Sequence, residues 1–579
     1  MGNGRGSWRL TLIAAILASS AIALILRLGY LQIVKHDDYR QKAEEEHWSK
    51  QTIVAQRGAI RDRNGHLLST TVVQFKVFAE PSKIKGEQMA ASVAKRLSPL
   101  LGMEPERISA ILSRPSDRPI LLKDSVPYDK GAKISSMYLS GIKTEEVVTR
   151  AYPEGTLAAP LIGFVGRDCI GLTGLEADLN RELEGKAGTA IFERDSMGSQ
   201  IPVGLGSIVP PEEGADLVLT IDRFIQRTAE KELDKAIEKH KASGGTIIIM
   251  EPYSGQILAL ASRPTFDLTK LDLTSSAQMG LYRNRAITDM YEPGSVMKVV
   301  TVSAALEEKV INPNSTFYCK GSVSKYGAVI RTWNGQAHGT ESVIEILKHS
   351  CNVGAVWVSD LLGKEKFYQY IQKFGFGQPT NVGLAGESGG KVRTYKDKDW
   401  WPIDLSTNSF GQGISVTPLQ MITAVSAVAN GGNLMRPYLV KEVVTDSERR
   451  TFQPVVVRRV VSEETSRLMR DMLNAAAEKG ESKLAIVPGY HISGKTGTAS
   501  ISETGGYSSQ DTIASFIGFA PVDNPKFIIL VKIDEPKDEP WGSLVASPVF
   551  SSLSQQILIY LRVPPTEPNL VGKEVKVWG

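Results

Sequence analysis

The apolar segment from Leu10 to Leu26 constrains this chain more than any other feature, because about 17 consecutive residues carry no charge. That length is close to what a helix needs to cross the hydrocarbon core of a bilayer. A cleaved signal peptide is the competing interpretation, since Ala21-Ile22-Ala23 resembles a small-x-small cleavage site. The apolar run continues past that site, which favours an uncleaved anchor, and we assign residues 10–34 to it.

The charges around this segment predict its orientation. Arg5 and Arg9 precede it, and no acidic residue comes before Asp37. By the positive-inside rule, residues 1–9 are cytoplasmic and the chain after the anchor lies on the other side of the membrane.

Composition excludes some classes of partner and site. Of 579 residues, 42% are hydrophobic, which is enough for two or three domains with cores of their own. The net charge is only +4 and no block of like charges stands out, so nucleic acid is not expected as a partner. Cys169, Cys319 and Cys351 have no metal-binding spacing, so no metal site is expected. Three buried free thiols are favoured over one disulfide with a thiol left over.

Residues 35–215 mix short β runs with turns. His36–Lys50 is polar and is expected to form a juxtamembrane helix or a stalk. Asn64-Gly65 is a strong hairpin signal, and Val72–Ala79 is typical of a strand. The stretch Gly171–Gly188 is expected to be turn-rich with one helix.

A boundary is expected at Pro210–Gly214, and residues 216–563 have a different pattern. Strands at both ends of this segment with helices between them indicate an α+β domain, and residues 564–579 are expected to form a tail. The predicted elements are a helix over Asp222–Lys239 with Asp222 at its N-cap, a hairpin of Gly244–Met250 with Gln256–Ala261, a strand pair of Ile513–Ala520 with Phe527–Ile533, and a helix over Pro548–Leu561.

Three short motifs carry the chemistry, and their order and context matter more than any one of them. They are Ser295-Val-Met-Lys298, Ser350-Cys-Asn352 and Lys495-Thr-Gly-Thr498, and successive motifs are spaced about 55 and 145 residues apart. The first pattern alone is weak, since Ser322-Val-Ser-Lys325 repeats it.

Ser295 is expected at the first turn of a buried helix over Val296–Leu306, because Pro293-Gly294 ends the preceding segment. Lys298 then lies one turn beyond Ser295 on the same face. Burial lowers the pKa of its amine, and a neutral amine is a base that activates the hydroxyl without histidine. The unpaired backbone N–H of Ser295 at the helix start is the first expected oxyanion donor. A purely structural Lys298 at the edge of the core is the alternative.

The segment His491–Ser500 is expected to be an edge strand, followed by a polar loop over Ala499–Thr512. Gly497 lets another backbone approach closely, which suits a substrate peptide lying along the strand. The N–H of Thr498 is the second expected oxyanion donor. The Lys495 amine and the hydroxyls of Thr496 and Thr498 are expected to hold a terminal carboxylate. A strand-to-loop turn with a surface lysine is the alternative.

Ser350 follows a helical stretch, Val343–His349. Its hydroxyl is expected to relay a proton between Lys298 and a leaving nitrogen. Asn352 is expected to orient Lys298 and to accept a hydrogen bond from the substrate amide. Because serine and asparagine also cap helices, a capping role is the alternative for this pair.

The three motifs resemble those of the penicillin-binding protein and serine β-lactamase superfamily. Nearly the whole chain resembles the class B penicillin-binding proteins of the division type, the FtsI-like proteins. Arg57–Gly65, Arg150–Gly155 and Gly171–Glu176 resemble motifs of that family's pedestal domain. Phe410–Gln420 resembles a stretch that the family carries near its active site.

The resemblance implies an α+β fold with an N-terminal transmembrane helix. An elongated β-rich pedestal (dimerisation-type) domain follows, then a transpeptidase domain with an antiparallel sheet flanked by helices and a helical subdomain. It implies a cofactor-free D,D-transpeptidase outside a bacterial cytoplasmic membrane, which cross-links D-Ala-D-Ala stem peptides in septal wall synthesis. It further implies covalent binding of β-lactams and, as partners, an FtsW-type membrane glycosyltransferase and other division proteins.

Two other functions remain open at this point. A β-lactam hydrolase or drug sensor would use the same three motifs, but no Glu-x-x-x-Asn element stands in a recognisable position to activate water. A scaffolding protein would use the anchor and the Arg57–Gly65 module for contacts with a polymerase and division proteins, and this role is compatible with the enzyme.

Overall fold

The structure, a computed structural model, describes residues 7–193, 206–503 and 506–570. The expectations for Arg5 and for the last nine residues of the tail lie outside this range. Its α-helices are α1 (Ser7–Gly29), α2 (His36–His47), α3 (Glu87–Leu101), α4 (Pro105–Leu112), α5 (Tyr128–Ser136), α6 (Ala159–Ile162), α7 (Gly174–Asp178), α8 (Asn180–Glu184), α9 (Arg223–His240), α10 (Ser276–Met279), α11 (Arg285–Thr288), α12 (Lys298–Glu307), α13 (Val343–Lys348), α14 (Asn352–Leu362), α15 (Lys364–Lys373), α16 (Pro402–Asn408), α17 (Pro418–Ala429), α18 (Glu463–Lys479) and α19 (Gly542–Tyr560).

Strands and short helices of other types complete the elements. The strands are β1 (Trp48–Ile53), β2 (Ile60–Arg61), β3 (Leu67–Ala79), β4 (Ile120–Pro127), β5 (Ile142–Ala151), β6 (Gly188–Glu193), β7 (Gly206–Val209), β8 (Asp216–Leu219), β9 (Gly244–Met250), β10 (Ile257–Arg263), β11 (Thr316–Cys319), β12 (Ser322–Lys325), β13 (Ala328–Arg331), β14 (Gly339–Ser342), β15 (Asn433–Met435), β16 (Val440–Val444), β17 (Arg449–Thr451), β18 (Val456–Arg459), β19 (Ser493–Glu503), β20 (Gly506–Ala520) and β21 (Phe527–Asp534). A π-helical turn, Tyr30–Val34, continues α1, and 3-10 helices span Pro81–Lys83, Gly294–Met297, Lys483–Ala485 and Pro568–Leu570.

The chain divides into two compact units. The smaller comprises the described parts of residues 1–56 and 185–214. It holds the apolar helix, α2 and an antiparallel sheet in the order β1-β6-β7. None of the run Trp8–Val34 is buried, and the run is long and apolar enough to cross a membrane, which agrees with the expected anchor.

The larger unit comprises residues 57–184 and 215–579 as far as they are described. One of its sheets has the order β17-β16-β8-β2-β3-β4, with β5 also paired to β3. The predicted hairpin at Asn64-Gly65 is present, since β2 and β3 pair antiparallel and Gly65 takes φ +90° at the turn. Apolar side chains of β3, among them Phe75 and Val77, pack with α3 and α4 in a small core of their own.

A buried carboxylate joins the three segments that resemble pedestal motifs. Glu176 is fully buried, with its Oε2 2.7 Å from Arg57 Nε and its Oε1 2.7 Å from Arg150 Nε. Ser69 Oγ donates a third hydrogen bond to Oε1 at 2.8 Å. Two guanidinium groups around one carboxylate stabilise it away from water, so segments distant in sequence are held at one point.

The second major sheet is antiparallel, in the order β10-β9-β21-β20-β19, and both of its faces are covered. Alternate residues of β9 supply the two cores: Ile247 and Ile249 pack with α9 and α19, whereas Ile248 and Met250 pack with α12 and α17. Both predicted strand pairs and the predicted α9 are present. The Asp222 side chain caps α9 by accepting hydrogen bonds from Phe224 N and Ile225 N.

Several local expectations were wrong. Most of Ala499–Thr512 belongs to the paired strands β19 and β20 instead of a loop. The helix α2 ends at His47, and Gly171–Gly188 holds two short helices instead of one. The last helix begins at Gly542, before the expected Pro548, and a Cβ at Gly542 would lie 2.4 Å from Gly497 O of β19 and from Ser515 O of β20. Cys169 is only partly buried, while all three cysteines are free thiols.

Candidate active site

The turn before α12 leaves Ser295 partly exposed between residues that are buried. A 3-10 helix over Gly294–Met297 runs directly into α12, as the sequence predicts for a helix start. Val296 and Met297 are fully buried, whereas Ser295 is partly exposed. The backbone turns at Gly294, which has φ +56° and donates a hydrogen bond to Gly411 O at 3.1 Å. The hydroxyl is therefore accessible while its backbone is fixed by the core.

Lys298 is fully buried, and four oxygen atoms surround its amine, of which three lie within 2.8 Å and the fourth, Ser350 Oγ, at 3.3 Å. Its Nζ lies 2.8 Å from Ser295 Oγ, 2.7 Å from Ser350 O and 2.8 Å from Asn352 Oδ1. Burial, with the positive charge of Lys495, lowers the pKa of Lys298 to about 7. A neutral amine has two hydrogens, and the two carbonyl oxygens can only accept hydrogen bonds. The lone pair of the neutral amine is then left facing Ser295 Oγ.

The segment between α13 and α14 brings Ser350 and Asn352 to this amine. Ser350 has φ +53°, an unusual conformation for a residue with a side chain, and it turns both its carbonyl and its hydroxyl towards Lys298. Asn352 begins α14 and its Nδ2 donates to Arg331 O at 3.1 Å. That hydrogen bond directs the amide oxygen towards Lys298.

Lys495 approaches from β19, which is the edge strand of its sheet, as expected. Its Nζ donates to Ser350 Oγ at 3.0 Å and to Thr496 Oγ1 at 3.0 Å. The side chain is almost fully buried, and burial lowers its pKa to about 8. Since Lys298 Nζ lies 3.3 Å from the same Ser350 hydroxyl, that oxygen lies between two amines.

Gly497 allows another backbone to approach closely, but that backbone is the turn at Pro293 and not a substrate peptide. A Cβ at Gly497 would lie 2.8 Å from Pro293 O and 2.9 Å from Val296 Cγ2. A Cβ at Gly294 would lie 3.4 Å from Thr498 N, so the two expected oxyanion donors are neighbours. The Thr498 hydroxyl accepts a hydrogen bond from Gly542 N at 3.0 Å and keeps its own hydrogen free to donate.

A cavity of about 360 Å³ lies beside the far end of β19. It is lined by Glu292, Lys391, Arg393, Ser415, Ile501 and other residues. Glu292 Oε1 accepts a hydrogen bond from Tyr507 at 3.3 Å, and burial raises the pKa of its carboxyl. Two cationic side chains beside the strand are suited to an acidic ligand.

Sequence patterns did not identify two further features of the site. Gly411 is needed because its Cβ would come within 2.1 Å of Gly294 O, and only the resemblance of Phe410–Gln420 pointed towards it. The rings of Trp333 and Trp541 stand 5.2 Å apart in an edge-on arrangement, and both are partly exposed. Trp333 lies two residues beyond Arg331 and Trp541 immediately precedes Gly542, so the pair links the two sides of the site. Isolated tryptophans carry no sequence signal for such a pairing.

Comparison with known proteins identifies the family of both domains. Residues 245–555 match the penicillin binding protein transpeptidase domain, and residues 52–219 match the penicillin-binding protein dimerisation domain. Stage V sporulation protein D of Bacillus subtilis is 35% identical over 98% of this chain and 88% of its own length. Peptidoglycan D,D-transpeptidase FtsI of Buchnera aphidicola is 29% identical over 98% and 97%.

A solved structure is also similar over most of both chains. It is penicillin binding protein 3 of Mycobacterium tuberculosis complexed with aztreonam, with a TM-score of 0.69 at 27% identity over 91% of this chain and all of that one. The transpeptidase match alone spans more than half of the chain. The chain therefore belongs to the class B, FtsI-like penicillin-binding proteins and is a transpeptidase of that family.

Proposed function

We propose that this protein cross-links peptidoglycan stem peptides as a D,D-transpeptidase, through an acyl-enzyme on Ser295. The observation that carries the proposal is the 2.8 Å contact between Lys298 Nζ and Ser295 Oγ. Burial and the charge of Lys495 lower the pKa of Lys298, which favours its neutral amine. The names of the relatives support the same class of reaction.

In the first step, Lys298 takes the proton from Ser295 as its oxygen attacks the carbonyl carbon of the penultimate D-Ala. The backbone N–H groups of Ser295 and Thr498 stabilise the oxyanion that forms. The C–N bond then breaks, and terminal D-Ala leaves after its nitrogen receives a proton through Ser350. The position of the Ser350 hydroxyl between Lys298 and Lys495 supports this relay.

Substrate is held along β19. Lys495 and the hydroxyls of Thr496 and Thr498 bind the terminal carboxylate, with Gly497 keeping the strand against the nucleophile turn. Asn352 accepts a hydrogen bond from the substrate amide and orients Lys298. Because β19 is an edge strand, an extended peptide can pair with it by backbone hydrogen bonds.

In the second step, an amine from a neighbouring stem peptide attacks the acyl-enzyme. The new C–N bond forms as the Ser295 ester breaks, and the proton of the amine returns to Ser295. A β-lactam acylates the same serine but leaves no departing group, which accounts for covalent inhibition. The complex of a similar protein with aztreonam supports this extension.

The exposed apolar helix supports a single-pass anchor, with residues 1–9 in the cytoplasm and the catalytic domain outside the cytoplasmic membrane. We assign residues 35–215 to the pedestal, 216–563 to the transpeptidase domain and 564–579 to a tail. An FtsW-type glycosyltransferase and other division proteins are the expected partners of the anchor and pedestal in septal wall synthesis. The name of the Bacillus relative favours a second setting, wall synthesis during sporulation.

The test uses the full chain in detergent, supplied with a polymerised peptidoglycan substrate whose stems end in D-Ala-D-Ala. We expect released D-Ala and cross-linked product from the wild type and neither from Ser295→Ala. A chromogenic cephalosporin tests the hydrolase alternative, since a transpeptidase traps about one equivalent. Rapid multiple turnover of the cephalosporin without cross-linked product would contradict the proposal.

A further inference from the structure

Four side chains with metal-binding atoms meet behind the Ser350–Asn352 segment. Cys319, His338, Glu341 and Cys351 each offer one sulfur, ring nitrogen or carboxylate oxygen, and these atoms all lie within 4.8 Å of one another. Both thiols are fully buried, and the Glu341 side chain is 1% exposed. A buried carboxylate beside two thiols and an imidazole is costly unless something satisfies it.

The four residues come from three places in the chain. Cys319 ends β11, and Glu341 lies in the antiparallel strand β14, which His338 precedes. Cys351 is the N-cap of α14 and stands between Ser350 and Asn352. Sequence spacing alone did not identify the cluster, because strand pairing and not a short motif brings the ligands together.

The distance between the sulfurs fits a shared metal ion better than a disulfide. Cys319 Sγ and Cys351 Sγ lie 3.5 Å apart. A disulfide needs about 2.05 Å. Two thiolates on one tetrahedral zinc ion, each about 2.3 Å from the metal, stand about 3.8 Å apart.

Two buried polar atoms in the cluster have no hydrogen-bond partner. They are Glu341 Oε2 and His338 Nδ1, the latter 3.1 Å from Glu341 Oε1 but not in hydrogen-bonding orientation. Both would be satisfied by an ion between them and the sulfurs. Within the residues described, such orphaned atoms are few enough that two in one cluster require an explanation.

Surrounding groups are arranged as they are around bound metals. His349 Nδ1 lies 2.7 Å from Glu341 Oε1, while Oε2 is left without a hydrogen-bond partner. Gly354 N donates a hydrogen bond to Cys351 Sγ at 3.3 Å, which favours a thiolate at that position. Contacts of this kind orient metal ligands and tune their affinity.

We propose that Cys319, His338, Glu341 and Cys351 bind one structural Zn²⁺ ion. Two thiolates, an imidazole and a carboxylate complete a tetrahedral shell without an open position, so the ion has no catalytic part. It ties the β11–β14 pair to the segment that carries Ser350 and Asn352. Both of those residues contact Lys298, so the ion fixes the groups that orient the amine.

The test measures metal in the full chain, purified in detergent without oxygen, chelator or added zinc. We expect about one zinc per chain in the wild type and in Cys169→Ser, which removes the cysteine outside the cluster. Cys319→Ser and Glu341→Gln should lose the metal. His349→Gln should weaken zinc binding about 10–100-fold. Circular dichroism of each variant verifies that it is folded.

Cobalt gives a readout that does not depend on variants. The metal-free, reduced wild type should bind one Co²⁺ with thiolate charge-transfer absorption and the intense visible bands of tetrahedral coordination. Either of two results would overturn the proposal. One is a reduced wild-type chain that binds no more metal than Cys319→Ser. The other is a Cys319–Cys351 disulfide in the protein as isolated from membranes.

Discussion

The carbonyl oxygen of Pro293 lies against Gly497, where a Cβ would come within 2.8 Å of it. This contact joins the turn that carries Ser295 to the edge strand that carries Lys495. Since Pro293 and Gly497 belong to separate motif segments, the contact sets the distance between nucleophile and substrate strand.

Substituting Gly497 tests that contact. Gly497→Ala should push the strand away from the Ser295 turn and lower the rate of penicillin acylation about 100-fold, because misplacement by about 1 Å has an effect of that size. Stopped-flow or gel-based labelling measures the rate. Gly280→Ala is the matched control, since a Cβ there meets no atom within 4 Å. Equal rates for the two variants would contradict the role of the contact.

Removing the amine of Lys298 tests the general base. Lys298→Ala should slow acylation about 100- to 10,000-fold, the range for loss of a positioned base. Circular dichroism checks that the variant remains folded, so that a slow rate reports the lost base. Acylation at the wild-type rate would exclude Lys298 as the base.

The pH dependence follows from the two lysines. Acylation by penicillin, which carries a carboxylate, should rise with pH as Lys298 loses its proton near its pKa of about 7. It should fall again as Lys495 loses its charge near its pKa of about 8. Lys495→Gln removes a like charge, so the pKa of Lys298 should rise and the ascending limb should move to higher pH. An ascending limb that stays in place would show that Lys495 does not act on Lys298.

The buried ion cluster of Glu176 should matter for stability. Glu176→Ala leaves Arg57 and Arg150 buried without their shared partner and should lower the free energy of unfolding by about 3–5 kcal/mol. Urea denaturation of the full chain measures the loss. Glu212→Ala, in an exposed pair with Lys186, should cost less than about 1 kcal/mol. Equal losses in the two variants would show that the buried cluster has no special role.

Elements with local signals could be predicted from sequence. The N-cap Asp222, the Asn64-Gly65 turn and the apolar strands around Ile248 each act through their immediate neighbours, and all are present. The pedestal motifs and the three motifs of the candidate active site were recognised by pattern. The contacts that join the pedestal motifs at Glu176 and the other three at Lys298 depend on tertiary structure.

Features that depend on packing could not be predicted. The described polar residues after Ala499 pair across β19 and β20, and β20 in turn pairs with β21 in the same sheet. The helix α19 starts at Gly542, ahead of Pro548, where its first residue lies against β19 and β20. The approach of Cys319 to Cys351 likewise depends on strand pairing, which spacing along the chain does not reveal.

Mapping the penicillin adduct tests the central claim most directly. The full chain in membranes is treated with a fluorescent penicillin, digested and analysed by mass spectrometry. We predict a single acylated residue, Ser295, and no labelling of Ser295→Ala. An adduct on any other residue, or persistent labelling of Ser295→Ala, would contradict the acyl-enzyme account.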